Sequence, residues 1–336
     1  MKLLINASNL SATGATQVAV SFIHECLKFC EHTYFILMSK TVSSEINISN
    51  YPPNFHFFSF NKHPRFIIDG VKTRHAIRNI ERKVNPDCIF SVFGPSYWTP
   101  KKPHLMGYAY PHYVYPESPF FDISSFKDTV KIRIFKAIHK FLLKRNGGYY
   151  VCETEDVSKR LIKYLECSPK NVFSVSNTCN DFFNHFVPQK NILPEKQDDE
   201  FRFLTLCSFA KHKNLEILNE VVPLLLNSNF KKKVQFILTV NEDLFQKIMS
   251  AEVKSHAINL GRIPVAKCPQ LYYECDALFL PTLLECFSAN YPEAMIMRRP
   301  ILTSNLTFAT SVCKNAALYF DPLNPKDITN KISLFI

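Results

Sequence analysis

A chain of 336 residues is long enough for two ordinary domains, each with a core of its own. Its 46% apolar content and 21 prolines describe a folded globular protein, and no apolar run reaches the length of a membrane-spanning helix. Eleven scattered cysteines form no Cys-x-x-Cys pair and no ordered His/Cys spacing, which excludes a zinc module and favours reduced thiols in a cytoplasmic setting. The formal charge of +11 is localised: residues 51–150 hold sixteen Lys/Arg against six Asp/Glu, a net of +10. A region of that kind meets an acidic partner, whether nucleic acid, anionic lipid or a diphosphate.

In chain order, the opening Met-Lys-Leu-Leu-Ile-Asn is too short for a signal peptide and predicts a first strand over 2–7. A turn of small residues over 9–17 follows, then a helix carrying Val18, Phe22 and Leu27, which is the opening of a doubly wound α/β domain. It contains no G-x-G-x-x-G, so a tightly gripped dinucleotide is not expected there. Further strands are predicted at 34–38, 55–60, 88–93 and 104–110, with a basic helical segment over 65–84 and an aromatic loop over 110–117.

Residues 125–145 place Phe126, Val130, Ile134, Ile138 and Phe141 on one helical stripe and Arg133, Lys136, Lys140 and Lys144 on another. Two readings stand side by side. A basic amphipathic helix lies on an anionic membrane surface, or a packed helix exposes a solvated cationic face; both bury the same stripe. Gly147 and Gly148 end the helix. A strand at 149–152, a helix through Leu165 and a strand at 172–175 complete a first domain, expected over 1–183. Residues 184–200, with two prolines and the acidic run Asp198-Asp199-Glu200, have the composition of a linker, and the acidic run is no metal site.

From residue 201, strands predicted at 202–207, 234–240, 257–260, 277–281, 300–303 and 317–320 alternate with helical patterns, notably 215–226 and 244–251. This is a second parallel α/β domain, expected over 201–336. Its first strand runs into Ser208-Phe-Ala-Lys211-His212-Lys213, where a cation at a strand's carboxyl edge would face a diphosphate; the alternative is a solvated lysine-rich loop. Residues 281–300, PTLLECFSANYPEAMIMRRP, bring a strand end, a loop and a helix start together. The helix is expected over 288–299 with Ala289, Pro292, Met295 and Ile296 as its apolar positions. Free N–H groups at such a junction suit an anion. Glu285 in the loop and Glu293 one to two turns into the helix can each accept hydrogen bonds from vicinal sugar hydroxyls. A phosphate between two polyols describes a nucleotide sugar.

These residues, with the flanking Gly261-Arg262-Ile263 and Pro300 to Ser304, resemble the Glu-seven-Glu motif of glycosyltransferase family 4. Those are the retaining, GT-B-fold members of the glycosyl transferases group 1. The likeness covers the second domain well and the first in outline. It implies two Rossmann-like, doubly wound parallel-sheet domains facing across a cleft, the first binding an acceptor and the second a nucleotide sugar.

The resemblance assigns Glu285 to the donor sugar and Glu293, with Arg262 and Ile263, to the nucleoside. Lys213 matches the family's phosphate lysine, while Ser208 replaces its partner arginine and Lys211 or His212 substitutes. Phe287, Ser288 and Ala289 belong to the donor phosphate and sugar, although Cys286 and Ser288 stand where glycines are usual. His112 matches a donor-site histidine, an ordinary loop histidine being the other reading. Gly14 and Ala15 stand where paired glycines approach donor phosphate and acceptor.

No Asp-x-Asp follows a predicted strand, so metal-independent chemistry with no cofactor beyond a UDP- or GDP-sugar is expected. The acceptor would be a glycan or a polyprenyl-diphosphate-linked glycan, as in polysaccharide or lipopolysaccharide biosynthesis, at the inner face of the plasma membrane. The family usually continues with C-terminal helices crossing back onto the first domain, whereas this sequence stops at Ile336 inside what reads as one more helix. Two other classes remain. A catalytically silent sugar-binding or scaffold protein would account for the missing arginine. A nucleic-acid binder would account for the basic half, although no helix-turn-helix, finger or aromatic RNA platform is present.

Overall fold

The computed structural model of the chain describes residues 1–11, 13–65, 68–228 and 232–336. Ala12 of the expected first turn and Phe66 and Ile67 of the expected basic helix lie outside the described residues. The chain packs into two compact units, one of residues 1–114 with 126–176 and one of 115–125 with 177–336. The division falls at 176/177 rather than at 183, and the segment 115–125 leaves the first half of the sequence to join the second unit.

Among the described residues, the first unit is built on β1 (Lys2–Ala7), β2 (Thr33–Ser39), β3 (Phe55–Phe60), β4 (Cys88–Ser91), β5 (His104–Gly107), β6 (Tyr149–Cys152) and β7 (Val172–Ser174). All pair in parallel, in the order β3-β2-β1-β4-β5-β6-β7. β1 lies between β2 (Leu4 opposite Phe35) and β4 (Leu4 opposite Ile89), so its apolar run is buried on both faces, as a central parallel strand requires. Successive side chains point to opposite faces. Ile5 and Ala7 pack with Ala19, Ile23, Ile36 and Met38 beneath the helix Thr13–Glu25. Leu4 packs with Leu37, Ile89, the fully buried Trp98 and Ile77 of the helix Ile68–Val84. The aromatic stretch expected as a loop holds a short helix, Pro111–Val114.

The helix Phe126–Asn146 overturns the packed-stripe reading. Its buried positions are His139, Leu142, Leu143 and Asn146, whereas Phe126, Ile134, Ile138 and Phe141 are exposed. The packed face lies on the other side of the helix, where polar His139 and Asn146 alternate with Leu142 and Leu143 and mask the inward face from a reading by apolar residues alone.

The second unit is built on β8 (Glu200–Thr205), β9 (Lys233–Leu238), β10 (Ala257–Asn259), β11 (Ala277–Leu280), β12 (Ile301–Ser304) and β13 (Ala317–Phe320). These too are parallel, in the order β10-β9-β8-β11-β12-β13. Phe203, Phe236, Phe279 and Phe320 form the centre of its core, with ring centroids 5.5 Å apart for Phe236–Phe279 and for Phe279–Phe320. The helices Leu218–Leu226 and Pro325–Ser333 cover them through Leu218, Val221, Val222, Ile328 and Ile332.

The stretch 184–200 is not a free linker. Its backbone is held to the second unit, Gln189 N–H by Gln270 Oε1 at 2.9 Å and Leu193 N–H by Glu274 Oε2 at 2.7 Å. Glu200, the last of the acidic run, belongs to β8 and accepts two hydrogen bonds from the buried Arg202 guanidinium, at 2.9 and 3.1 Å.

In both sheets the strand order reverses once, between β1 and β4 and between β8 and β11. Loops leaving the carboxyl ends of two such strands diverge to opposite faces and open a crevice there. The ring cluster that holds the second sheet in place makes a direct prediction. Phe279→Ala is expected to cost about 3–5 kcal/mol in chemical unfolding, and Phe279→Leu distinctly less, since most of the cavity is then filled. Equal losses in the two variants would mean that the ring itself is not what the core requires.

Candidate functional site

The site is built where β8 and β11 release their chains. After β8 the backbone runs through residues 206–210 into a single 3₁₀ turn, Lys211–Lys213, which Asn214 closes at φ 53°. A left-handed conformation is one that asparagine tolerates better than most residues, and the Asn214 side chain is fixed by donating to Pro322 O at 2.8 Å. This turn is tied to the loop beyond β11, because Leu283 N–H donates to His212 O at 2.7 Å.

That second loop, residues 281–289, is buried over most of its length, including Thr282, Leu283, Leu284, Glu285, Cys286 and Ser288. Ser118, from the segment that joins this unit from far upstream, donates to Leu283 O at 2.7 Å. Asn290 Nδ2 reaches across to Leu206 O at 3.0 Å, so the two loops are stitched at both levels. The helix that follows spans Asn290–Ile296, shorter than the expected 288–299. Its buried residues are Tyr291 and Ala294, while Met295 and Ile296 are exposed, contrary to the apolar face expected from Ala289, Pro292, Met295 and Ile296. The Tyr291 hydroxyl is what turns the helix inward: it lies 3.0 Å from Thr303 Oγ1 on β12, which itself donates to Leu280 O.

Across these loops the Lys213 ammonium is hydrogen-bonded to Glu285 Oε1, and both side chains are largely withdrawn from water. Burial pulls the lysine toward neutrality, but the attraction of Glu285, with a smaller contribution from Cys207, more than offsets it and the pKa ends above the ordinary lysine value. The Cys207 thiol, beside the same pair, is pushed up to about 12 by burial. Eight residues on from Glu285, Glu293 accepts a hydrogen bond from the fully buried Tyr272 hydroxyl at 3.0 Å. Burial raises the Glu293 carboxyl to about 7, against the lowering effect of that bond. Burial likewise raises Cys268 to about 12 and raises Cys179, the Glu293 carboxylate adding to both.

The expected site residues fall in both units. Lys213 and Glu285 are in contact, Ser208 and Lys211 are exposed on the loop that carries Lys213, and Phe287, Ser288 and Ala289 lie on the loop that carries Glu285. Ser288 is buried, Phe287 half-buried and Ala289 exposed. Arg262 is exposed and Ile263 half-buried just after Gly261, whose φ of 65° turns the chain beyond the edge strand β10. His112, Gly14 and Ala15 belong to the first unit. Gly14 and Ala15 lie in the first turn of the helix Thr13–Glu25 rather than in a loop, and His112 lies on Pro111–Val114 with its pKa lowered by burial. Tyr272, Asn214, Asn290 and Ser118 escape a reading of the sequence. Each acts through a partner at least 18 residues away, which no local pattern encodes.

Residues 200–336 match the family model described as glycosyl transferases group 1. That stretch, about two fifths of the chain, is similar to the group 1 glycosyl transferases. A comparison with curated proteins finds no match. Among solved structures the whole chain shares the GT-B fold of several glycosyltransferases. WaaG, a glycosyltransferase involved in lipopolysaccharide biosynthesis, superposes with a TM-score of 0.72 at 13% identity, covering 100% of this chain and 90% of that one. A glycosyltransferase from Rickettsia africae gives 0.68 at 15% identity, covering 99% and 87%. Anabaena HepE, solved with UDP and glucose, gives 0.68 at 12% identity, covering 99% and 89%.

Two predictions follow from the charges of this domain. Lys213→Ala strands the buried Glu285 carboxylate and is expected to cost about 3–5 kcal/mol, whereas the double change Lys213→Met/Glu285→Leu should recover most of that loss in chemical unfolding. Additive losses would mean that the pair is not coupled. For Glu293 the folded pKa stands above the unfolded one, so the native state binds the proton more tightly and stability is lost as pH rises from about 4.5 to about 7. Glu293→Gln removes that loss and should gain about 1–3 kcal/mol at pH 8 over the wild type with little difference at pH 4. Parallel stability profiles for the two proteins across this range would contradict the buried carboxyl.

Proposed function

We propose that the chain transfers a sugar from a UDP- or GDP-sugar to a glycan or lipid-linked glycan, with retention at the anomeric carbon and without a metal ion. The observation that carries this reading is the Lys213–Glu285 pair at the switch point between β8 and β11, with the Glu293 carboxyl on the next helix. The donor is assigned to the second unit alone.

An incoming diphosphate offers the Lys213 ammonium oxygens in place of Glu285, and the freed carboxylate accepts a hydroxyl of the donor sugar. Lys213 then meets charge that grows on the diphosphate as the bond to the anomeric carbon breaks, which is where a fixed cation lowers a barrier most. Ser208, Lys211 and the backbone around Ser288 and Ala289 line the same phosphate side; Phe287 lies beside the sugar. Glu293 accepts from the ribose hydroxyls, with Arg262 and Ile263 toward the base.

In a retaining step the acceptor oxygen attacks the face that the leaving group vacates. One carbon–oxygen bond breaks, another forms, and a diphosphate oxygen takes the acceptor's proton. Lys213 supplies positive charge where other transferases use a metal. The group 1 match, and the UDP and glucose held by HepE, support a nucleotide-sugar donor.

The test separates binding from chemistry. Glu293→Ala should weaken binding of UDP or GDP by about 1.5–3 kcal/mol in calorimetry, because a charged acceptor is lost. Lys213→Met should lower kcat by about 10²–10³ with donor KM changed only a few-fold, in the presence of a chelator as in its absence. Unchanged kcat in Lys213→Met, or nucleotide binding indifferent to Glu293, would remove these residues from the site. Nucleotide-sugar binding with no turnover on any glycan acceptor would favour a sugar-binding protein instead.

A further inference from the structure

Among the described residues, the helix Phe126–Asn146 leaves several large apolar side chains exposed. Phe126 is 82% exposed, Phe141 61%, Ile134 55%, Phe135 43% and Ile138 41%. At a helical advance of about 100° per residue, Phe126, Phe141, Ile134 and Ile138 fall within an arc of about 120°. Basic residues border that arc on both sides. Lys131 lies beyond one edge and Arg133, Lys136 and Lys140 beyond the other, while Lys127, Lys144 and Arg145 fall within the arc itself. The opposite face is the one that packs, through His139, Leu142, Leu143 and Asn146.

These cations are not equivalent. Lys140 and Lys144 pair with Glu166 at 2.9 and 3.5 Å, and Lys136 lies 5.3 Å from the centroid of the Tyr164 ring. Lys127, Lys131 and Arg133 are exposed and, among the described residues, make no ion pair. Of the expected stripe of Arg133, Lys136, Lys140 and Lys144, only Arg133 thus stays available to a partner, joined by Lys127 and Lys131.

We propose that this helix is an interfacial anchor that lies flat on an anionic bilayer. Its apolar arc would enter the headgroup–acyl boundary while Lys127, Lys131 and Arg133 meet lipid phosphates. A chain of apolar side chains flanked by cations on both edges is complementary to that surface and to no simpler one. A second copy of the chain would bring two cationic rims together. A nucleic acid would satisfy the cations and leave four large apolar side chains facing a phosphate backbone. Among the described residues no helix is long and apolar enough to cross a membrane, so contact would be peripheral.

The test uses the full chain with vesicles of phosphatidylglycerol mixed into phosphatidylcholine, and of phosphatidylcholine alone. Sedimentation with the anionic vesicles at about 0.1 M salt, weakened at about 1 M, and little sedimentation with the neutral ones are expected. The triple change Lys127→Gln/Lys131→Gln/Arg133→Gln should weaken the anionic-vesicle partition about a hundredfold. Phe126→Ser/Ile134→Ser/Phe141→Ser should weaken it as well, at either salt concentration. Both variants alter exposed side chains, and an unchanged melting point with unchanged emission of the buried Trp98 would confirm that the fold is kept. In Phe141→Trp, bromine-labelled acyl chains should quench the new indole.

Equal binding to both vesicle types, or an unquenched Trp at 141, would overturn the proposal. So would vesicle binding indifferent to either triple change, or salt-dependent binding of duplex DNA in its place. None of these readouts uses donor or turnover, so the outcome is independent of the donor-site reading.

Discussion

An ammonium and a carboxylate, both taken out of water, neutralise each other between the loops that follow β8 and β11. Either charge alone would be costly there, so the two loops must close together if they close at all. The rest of the second unit serves that closure. Asn214 fixes the turn that carries the lysine, and Ser118 and His212 hold the loop that carries the glutamate. Tyr291 seats the next helix against β12 and so sets where Glu293 emerges. A buried pair with one partner per charge is also an exchangeable one. An anion with several oxygens can compete with the carboxylate for the lysine.

The same topology is used differently in the two units. Between β1 and β4 the polar groups are neutral: Asn6 Nδ2 donates to Ser91 Oγ at 3.0 Å, Ser91 Oγ lies 2.9 Å from His104 Nε2, and Asn9 Nδ2 donates to Phe93 O at 2.8 Å. Burial lowers His104 to about 4, so that link stays uncharged at physiological pH. The same strand order thus carries neutral polar groups at one switch point and a buried charged pair at the other.

The strands were legible because a parallel strand buried on both faces is written as a short continuous apolar run, as in Leu3-Leu4-Ile5 or Ala277-Leu278-Phe279-Leu280. Helices were harder where the buried side chain carries a hydroxyl. Met295 and Ile296 look like an inward face, yet Tyr291 is the residue that enters, because its oxygen has Thr303 to bind. The turn at Pro111–Val114 was hidden for a related reason: an aromatic run has no helical period, although proline at a first helical position is well suited to start one. Glu285 and Lys213 could each be picked out from local pattern. That they are each other's partner, 72 residues apart, could not, since only the parallel pairing of β8 with β11 brings their loops together.

Charge bookkeeping gives the last step. The chain carries +11, of which +10 falls within residues 51–150, yet the buried Lys213–Glu285 pair of the second unit contains a single cation. The excess is carried by residues 51–150 and not by that pair. Part of it is spent inside the first unit, where Arg74 Nη1 donates to Pro64 O at 2.8 Å and Lys140 meets Glu166. Seven of the sixteen cations lie on the helix Phe126–Asn146, beside the exposed Phe126, Ile134, Ile138 and Phe141. Exposing Phe126 and Phe141 gains nothing for the fold, since burying such rings is worth about 1.5–3 kcal/mol each. A sequence that keeps them outside, between two rows of cations, is matched to a surface that is both anionic and apolar.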